Sequence, residues 1–182
     1  MSVPSTALLA GLFTSSTDEW PTPRAFFDQM AVEFGPLDLD VCATPENAKC
    51  ARFYTRDDDG LAQPWAPARC WMNPPYGRTI GVWMAKAWQE AQRGALVVCL
   101  VPARTDTAWW HDYAAKGQVR FLRGRLRFEG GKHSAPFPSA VVVFHPANAR
   151  SADLHCTGAL SAQKEVGRGR VEDAPREVRE TR

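Results

Sequence analysis

Four consecutive residues, Asn73-Pro74-Pro75-Tyr76, carry the groups in this sequence best suited to chemistry. The chemistry they suit is activation of an amino group on a planar ring. Such an exocyclic amine is a poor nucleophile, because its lone pair is delocalised into the ring. A side-chain amide oxygen and a backbone carbonyl aimed at its two N–H bonds draw the nitrogen toward tetrahedral geometry. The lone pair is then free to attack a delivered methyl group. Asn73 supplies the amide oxygen. Pro74 supplies a carbonyl and has no N–H to compete with it. Successive prolines fix φ, so both acceptors are held in place beforehand. Tyr76 offers a flat face on which an extruded base can stack. The competing account is a Pro-Pro turn closing a strand, with Tyr76 an ordinary half-buried aromatic. Position favours chemistry: the tetrapeptide follows the apolar run Cys70-Trp71-Met72 and precedes the clearest helix in the chain.

The elements that must position this loop are legible on both sides of it. Arg69 to Met72 reads as the strand that delivers it. Ile80, Trp83, Met84, Ala87, Trp88 and Ala91 recur at helical spacing, closed by Gly94, and the tryptophans of that helix read as core. Ala95 to Val101 is a continuous apolar run, as expected of a strand buried on both faces, and Pro102 ends it. Upstream, Thr22 reads as an N-cap and Pro23 as the first residue of a helix running to Phe34, stopped by Gly35. Leu37 to Cys42 reads as a strand with Asp40 near its carboxyl end, Thr44 to Cys50 as a short helical turn, and Arg52 to Thr55 as a brief strand. Downstream, Asp106 to Lys116 reads as a helix. Val119 to Leu122, Arg125 to Phe128 and Ala140 to Phe144 then follow as strands with no helices between them. Alternating strand and helix giving way to consecutive strands predicts an α/β sheet, mainly parallel, with antiparallel pairing at one edge.

A chain of 182 residues with 45% hydrophobic content suits one domain with a real core. Residues 1–17 read as a loose arm, 18–146 as the domain and 147–182 as a disordered, highly charged tail. No stretch approaches membrane-spanning length. Five scattered cysteines form no metal-ligand spacing and read as reduced, buried thiols of a cytoplasmic protein; no metal is expected. The overall charge of +2 is too small to establish a polyanionic partner; only local clustering, taken with its place beside the central loop, argues for one. Between Pro102 and His133, seven basic side chains stand against three acidic ones, a local net of +4. Arg125 and Arg127 alternate with Leu126 and Phe128 and so share one strand face. Arg104, Arg123, Arg125, Arg127 and Lys132 are the expected phosphate contacts, and Gly130 to Pro138 the expected DNA-probing loop. The alternative for all of them is a solvated strand face.

Several blocks in fixed order then match a known family. They are Asp18-Glu19-Trp20 with Thr22-Pro23; Asp38 to Ala43 with Pro45-Glu46-Asn47; Asp59-Gly60-Leu61 with Trp65; Asn73 to Gly77; Leu100 to Asp106; and Gly124-Arg125-Leu126 with Phe128. Across residues 18–144 the chain resembles the phage-type, Dam-like DNA N6-adenine methyltransferases of phages and prophages. The resemblance implies a single-domain Rossmann-like fold that binds S-adenosylmethionine and methylates flipped adenine in double-stranded DNA in a bacterial host. Such enzymes also occur in restriction–modification settings. It places catalysis on Asn73, Pro74, Pro75 and Tyr76, and donor binding on Trp20, Thr22, Pro23, Asp40, Cys42, Ala43 and Asp59. The strand ending at Cys42 is followed by Ala43-Thr44-Pro45 rather than the usual Gly-x-Gly turn. Asp40 could meet the donor's ammonium or ribose; sharing a strand face with Asp38, it is hard to bury without a cationic partner. Asp59 could accept from the donor's adenine amine, a part Asp57 or Asp58 could also take. Trp20 could pack on the donor or staple the first helix, and Asn47 could orient the donor or sit in an ordinary turn. The same tetrapeptide type serves cytosine N4, guanine N2 in RNA and glutamine in proteins. A further alternative is a DNA-binding protein that keeps the fold without the chemistry.

Overall fold

The computed structural model describes residues 20–129 and 134–147. The expected arm, residue 148 onward, and residues 130–133, which include Lys132 and open the expected probing loop, lie outside those residues. The described elements run in order α1 (Arg24–Phe34), β1 (Leu39–Asp40), β2 (Arg52–Phe53), β3 (Arg69–Met72), α2 (Ile80–Gln92) and β4 (Leu96–Pro102). Then come α3 (Ala108–Asp112), a 3-10 turn (Ala114–Lys116), β5 (Gln118–Phe121) and β6 (Ser139–Phe144). Six strands form one sheet in the order β2-β1-β3-β4-β6-β5. The first four are parallel, and β6 and β5 are added antiparallel. This is the mixed α/β sheet that the sequence predicts.

β4 sits at the centre because it can be buried on both faces: every residue from Leu96 to Pro102 is buried. α2 packs its Ile80, Met84, Ala87 and Ala91 stripe inward, and α1 buries Phe26, Phe27, Met30 and Phe34. After α2, Gly94 takes a left-handed φ of +108°, which lets Ala95 N–H return to the Glu90 carbonyl at 3.0 Å and feed directly into β4. No helix among the described residues is long and apolar enough to cross a membrane.

The register gathers the connecting segments at one end of the sheet. Asp40 pairs with Trp71, Met72 with Cys99, Pro102 with Ser139 and Phe121 with Ala140. The segments after β1, β3, β4 and β5, and the one before β6, therefore all leave from the same edge.

Three expectations need correcting. Thr22 does not cap α1: the residue at the cap position is Pro23, and no side chain within the helix start makes a capping bond. Instead the first free amide, Arg24 N–H, donates to Glu129 Oε1 at 2.8 Å from 105 residues away. The strand expected over Leu37–Cys42 is only Leu39–Asp40, because Cys42 N–H and Lys49 N–H turn onto the Asp40 carboxylate. Asp38 and Asp40 also part company, Asp38 exposed and Asp40 buried. Finally, Arg125–Phe128 is not a strand. Its burial still alternates, with Leu126 and Phe128 inside and Arg125 and Arg127 outside, held by Ala135 N–H donating to the Leu126 carbonyl at 2.8 Å.

Candidate active site

A cavity of about 810 Å³ opens at the carboxyl ends of β1 and β3. Its size is that of a cofactor or substrate site. The loop after β3 forms one wall with Asn73, Pro74 and Pro75. The turn after β1 forms another with Asp40, Cys42 and Ala43, joined by Trp20 and Thr22 from ahead of α1. Asp59 and Gly60 close the far side. Of the eleven residues singled out for catalysis or donor binding, nine thus line one cavity. Pro23 and Tyr76 do not.

Asn73 is held by its nitrogen and open at its oxygen. Its Nδ2 donates to the Trp20 carbonyl at 2.5 Å, which fixes the amide plane. Its Oδ1 is buried and has no hydrogen-bond partner. Thr22 Oγ1, in the same cavity, is likewise buried and unpartnered. Buried polar atoms without partners are rare in folded proteins, and these two, in one cavity, are acceptors that donors from a ligand would satisfy. Thr22 fails as a helix cap because its hydroxyl belongs to this cavity.

Asp40 is 4% exposed. Its carboxylate accepts Cys42 N–H at 3.4 Å and Lys49 N–H at 3.1 Å. Burial pushes its pKa up to about 6, and those two amides and the Lys49 charge offset the push only in part. The Lys49 ammonium does not pair with it; it lies 2.9 Å from Glu129 Oε2. Cys42 sits beside Asp40 with its thiol pushed well up by burial and then by the Asp40 charge, so it stays neutral. Asn47 closes its own turn by accepting Thr44 N–H at 2.8 Å, yet it also lines the cavity.

Asp59 adopts φ +50°, the one non-glycine left-handed residue among those described. Aspartate tolerates that region better than most residues, and the turn it makes is closed by Ala62 N–H donating to its carbonyl at 2.8 Å. Gly60 beside it has no room for a side chain: a Cβ would lie 2.2 Å from the Val41 carbonyl oxygen.

Tyr76 is not an accessible platform here. Its ring is 4% exposed and packs edge-on against Phe137 at 5.5 Å and Phe128 at 6.1 Å. Its hydroxyl donates to the Leu100 carbonyl at 3.1 Å, which ties the loop back onto β4. The basic cluster also divides. Arg104, Arg123, Arg125 and Arg127 are exposed and lie in segments leaving the sheet at the Asn73 edge. Arg120 is instead buried, paired with Glu33 and set over the Phe34 ring. Lys116 stacks on Trp88 at the opposite end of the sheet, where β5 begins.

Sequence reasoning missed Trp83, Lys49, Thr44, Thr55, Arg56 and Thr79, all of which line the cavity. Trp83 fits the core stripe of α2 by spacing, but it lies in the first turn, half-buried, with one side on Trp65 at 6.2 Å. The others come from polar turns whose meeting depends on the parallel register.

An α/β domain with a ligand cavity at the carboxyl ends of its parallel strands is the class that fold and site define. Within that class, the chain belongs to the DNA N-6-adenine-methyltransferase (Dam) family, whose sequence model matches residues 11–161. It is similar to the DNA N-6-adenine-methyltransferase of Escherichia phage T1, at 33% identity over 131 residues. That match spans 59% of this chain and 55% of the phage T1 protein, about half its length. It is also similar to the DNA N-6-adenine-methyltransferase of Haemophilus phage HP1, at 27% identity covering 72% of this chain and 81% of the relative. A 65-residue stretch is 38% identical to the putative methyltransferase YfdM of Escherichia coli K12, covering 32% of this chain and 71% of the relative.

Proposed function

We propose that this protein transfers a methyl group from S-adenosylmethionine to N6 of an adenine turned out of duplex DNA. The observation that carries the reading is the Asn73 amide, anchored by its nitrogen on Trp20 with its buried oxygen free. Membership of the Dam family, together with the names of two relatives, favours adenine over cytosine N4, guanine N2 or glutamine. The fold is read as a single-domain, Rossmann-like version of the methyltransferase fold, working in the cytoplasm of a bacterial host.

The cavity fits the donor. Asp40 is a buried carboxylate short of hydrogen-bond donors, suited to an ammonium or ribose hydroxyls. Thr22 Oγ1 offers a second open polar atom, Trp20 and Trp83 offer apolar walls, and Asp59 can accept from an adenine amine. When bound there, S-adenosylmethionine supplies an electrophilic methyl. The chain's part is to hold and polarise the acceptor. Asn73 Oδ1 and the Pro74 carbonyl accept the two amine hydrogens and pull the nitrogen out of conjugation. The prolines keep those acceptors from relaxing, so the stabilisation is preorganised. After transfer the acceptor nitrogen carries a positive charge and is acidic, so its extra proton passes to solvent water and no strong base on the protein is required. Arg104, Arg123, Arg125 and Arg127 hold the flanking phosphates. Tyr76 reaches a flipped base only if Phe128 and Phe137 shift; in the packing observed it serves to brace the loop.

The test is product identification. Purified protein with labelled donor should label duplex DNA, and digestion to nucleosides should recover the label in N6-methyladenine. Label in cytosine, in RNA or in protein, or DNA binding without donor binding, would point to the other readings.

A further inference from the structure

Glu129 joins three parts of the molecule that the proposed reaction needs together. Its Oε1 accepts Arg24 N–H at 2.8 Å, the first free amide of α1, where a carboxylate is also favoured by the helix dipole. Its Oε2 accepts the Lys49 ammonium at 2.9 Å, and the Lys49 side chain is only 7% exposed. Its own N–H donates to the Pro21 carbonyl at 2.9 Å. Pro21 and Lys49 both line the cavity, and Lys49 N–H also holds Asp40. Pro21 follows Trp20, whose carbonyl fixes Asn73. On the other side, Glu129 follows Phe128, which packs on Trp20 at 5.3 Å, and Arg127 and Arg125, which face outward.

We propose that Glu129 is a positioning residue that couples the DNA-facing segment to the donor cavity. Resting on the function proposed above, this assigns Glu129 no contact with donor or base. It acts by holding the Trp20–Thr22 wall and by keeping the Lys49 ammonium off Asp40. Phosphates held by Arg125 and Arg127 act on the same short stretch of backbone as the clasp two positions on. DNA and donor should therefore tighten each other's binding, as coupled sites must do reciprocally.

The experiment uses the full chain and S-adenosylhomocysteine, the demethylated donor, which cannot react. Its dissociation constant is measured by calorimetry with and without excess unmodified duplex, for wild type, E129Q and E129A. Wild type should bind about fivefold or more tightly with duplex present, in the range typical of coupled sites. E129A should bind equally, within twofold, in both conditions. E129Q keeps an acceptor for the Arg24 amide but no charge for Lys49, and should retain part of the coupling. Failure of wild type to bind S-adenosylhomocysteine at all would remove the donor-site reading beneath the proposal. Wild type that binds and responds to duplex, with E129A responding equally, would overturn the proposal alone. If E129A does not fold, full wild-type coupling in E129Q overturns it.

Discussion

Two carboxylates are buried among the described residues, and they are opposites. Glu90, on α2, is 1% exposed and fully engaged: it accepts Trp65 N–H at 2.9 Å, Ala66 N–H at 3.1 Å, Lys86 Nζ at 2.9 Å and Arg93 Nη1 at 2.7 Å. Burial pushes its pKa up, but those four partners outweigh the push and hold it at about 2. Asp40, at the end of β1, has two amides and no directly paired cation, and it rises to about 6. Burial of a charge therefore does not by itself mark a site. Glu90 is structural glue, fixing the segment whose Trp65 indole N–H donates to the Gly60 carbonyl beside the cavity. Asp40 is left incomplete, in the same cavity as the open Asn73 oxygen and the open Thr22 hydroxyl. Incompleteness, rather than burial, distinguishes the region proposed to meet a ligand.

The largest effect expected from this contrast is on the satisfied partner. E90A strands two amides and a poorly exposed lysine, and should cost about 3–5 kcal/mol in urea unfolding. D40N should move the other way in the ligand-free protein. The rise from 3.8 to about 6 means that ionised Asp40 opposes folding at neutral pH. A displacement of that size corresponds to ~3 kcal/mol, of which Asn should recover a part. The same variant should weaken donor binding about tenfold, measured by calorimetry. Equal destabilisation by E90A and D40N would erase the distinction.

The pH profile sharpens it further. Because the folded state holds the Asp40 proton more tightly than the unfolded chain, stability should rise as pH falls through about 6, levelling near 3.8. Glu90 has a folded pKa below its ordinary 4.5, so its contribution is present above that value and is lost as pH falls toward 2. From these two groups the ligand-free protein should be most stable near pH 4–5. D40N should remove the gain between pH 7 and 5 and leave the acid loss. Smallest of all, D59N keeps a side chain that tolerates φ +50° while removing the charge. It should leave stability within ~0.5 kcal/mol and weaken the donor a few-fold.

How much of this was legible beforehand follows the same divide. β3, α2 and β4 fell within a residue or two of expectation, because apolar period and length fix them locally. The placing of the central loop was legible for a related reason: it follows a predicted strand and precedes a strong helix, and Asn73, Pro74 and Pro75 line the cavity there. Contacts that cross the chain were not. Thr22 read as a cap by its neighbours, whereas the α1 amide is met by Glu129 from 105 residues on. Arg125–Phe128 has the alternation of a strand but no ladder partner, so its pattern set burial without setting secondary structure. Tyr76 looked like a platform because nothing local revealed that Phe128 and Phe137 would pack against it.

The most direct measurement compares N73A with wild type for labelled methyl transfer to duplex adenine and, separately, for S-adenosylmethionine affinity by calorimetry. Loss of one preorganised polar contact at a reacting centre typically costs 10²–10³ in rate, so N73A should lose about 100-fold or more in turnover. Its donor affinity should stay within about threefold of wild type, since the role assigned to Asn73 lies with the acceptor amine rather than the donor. Turnover near the wild-type rate would contradict the account.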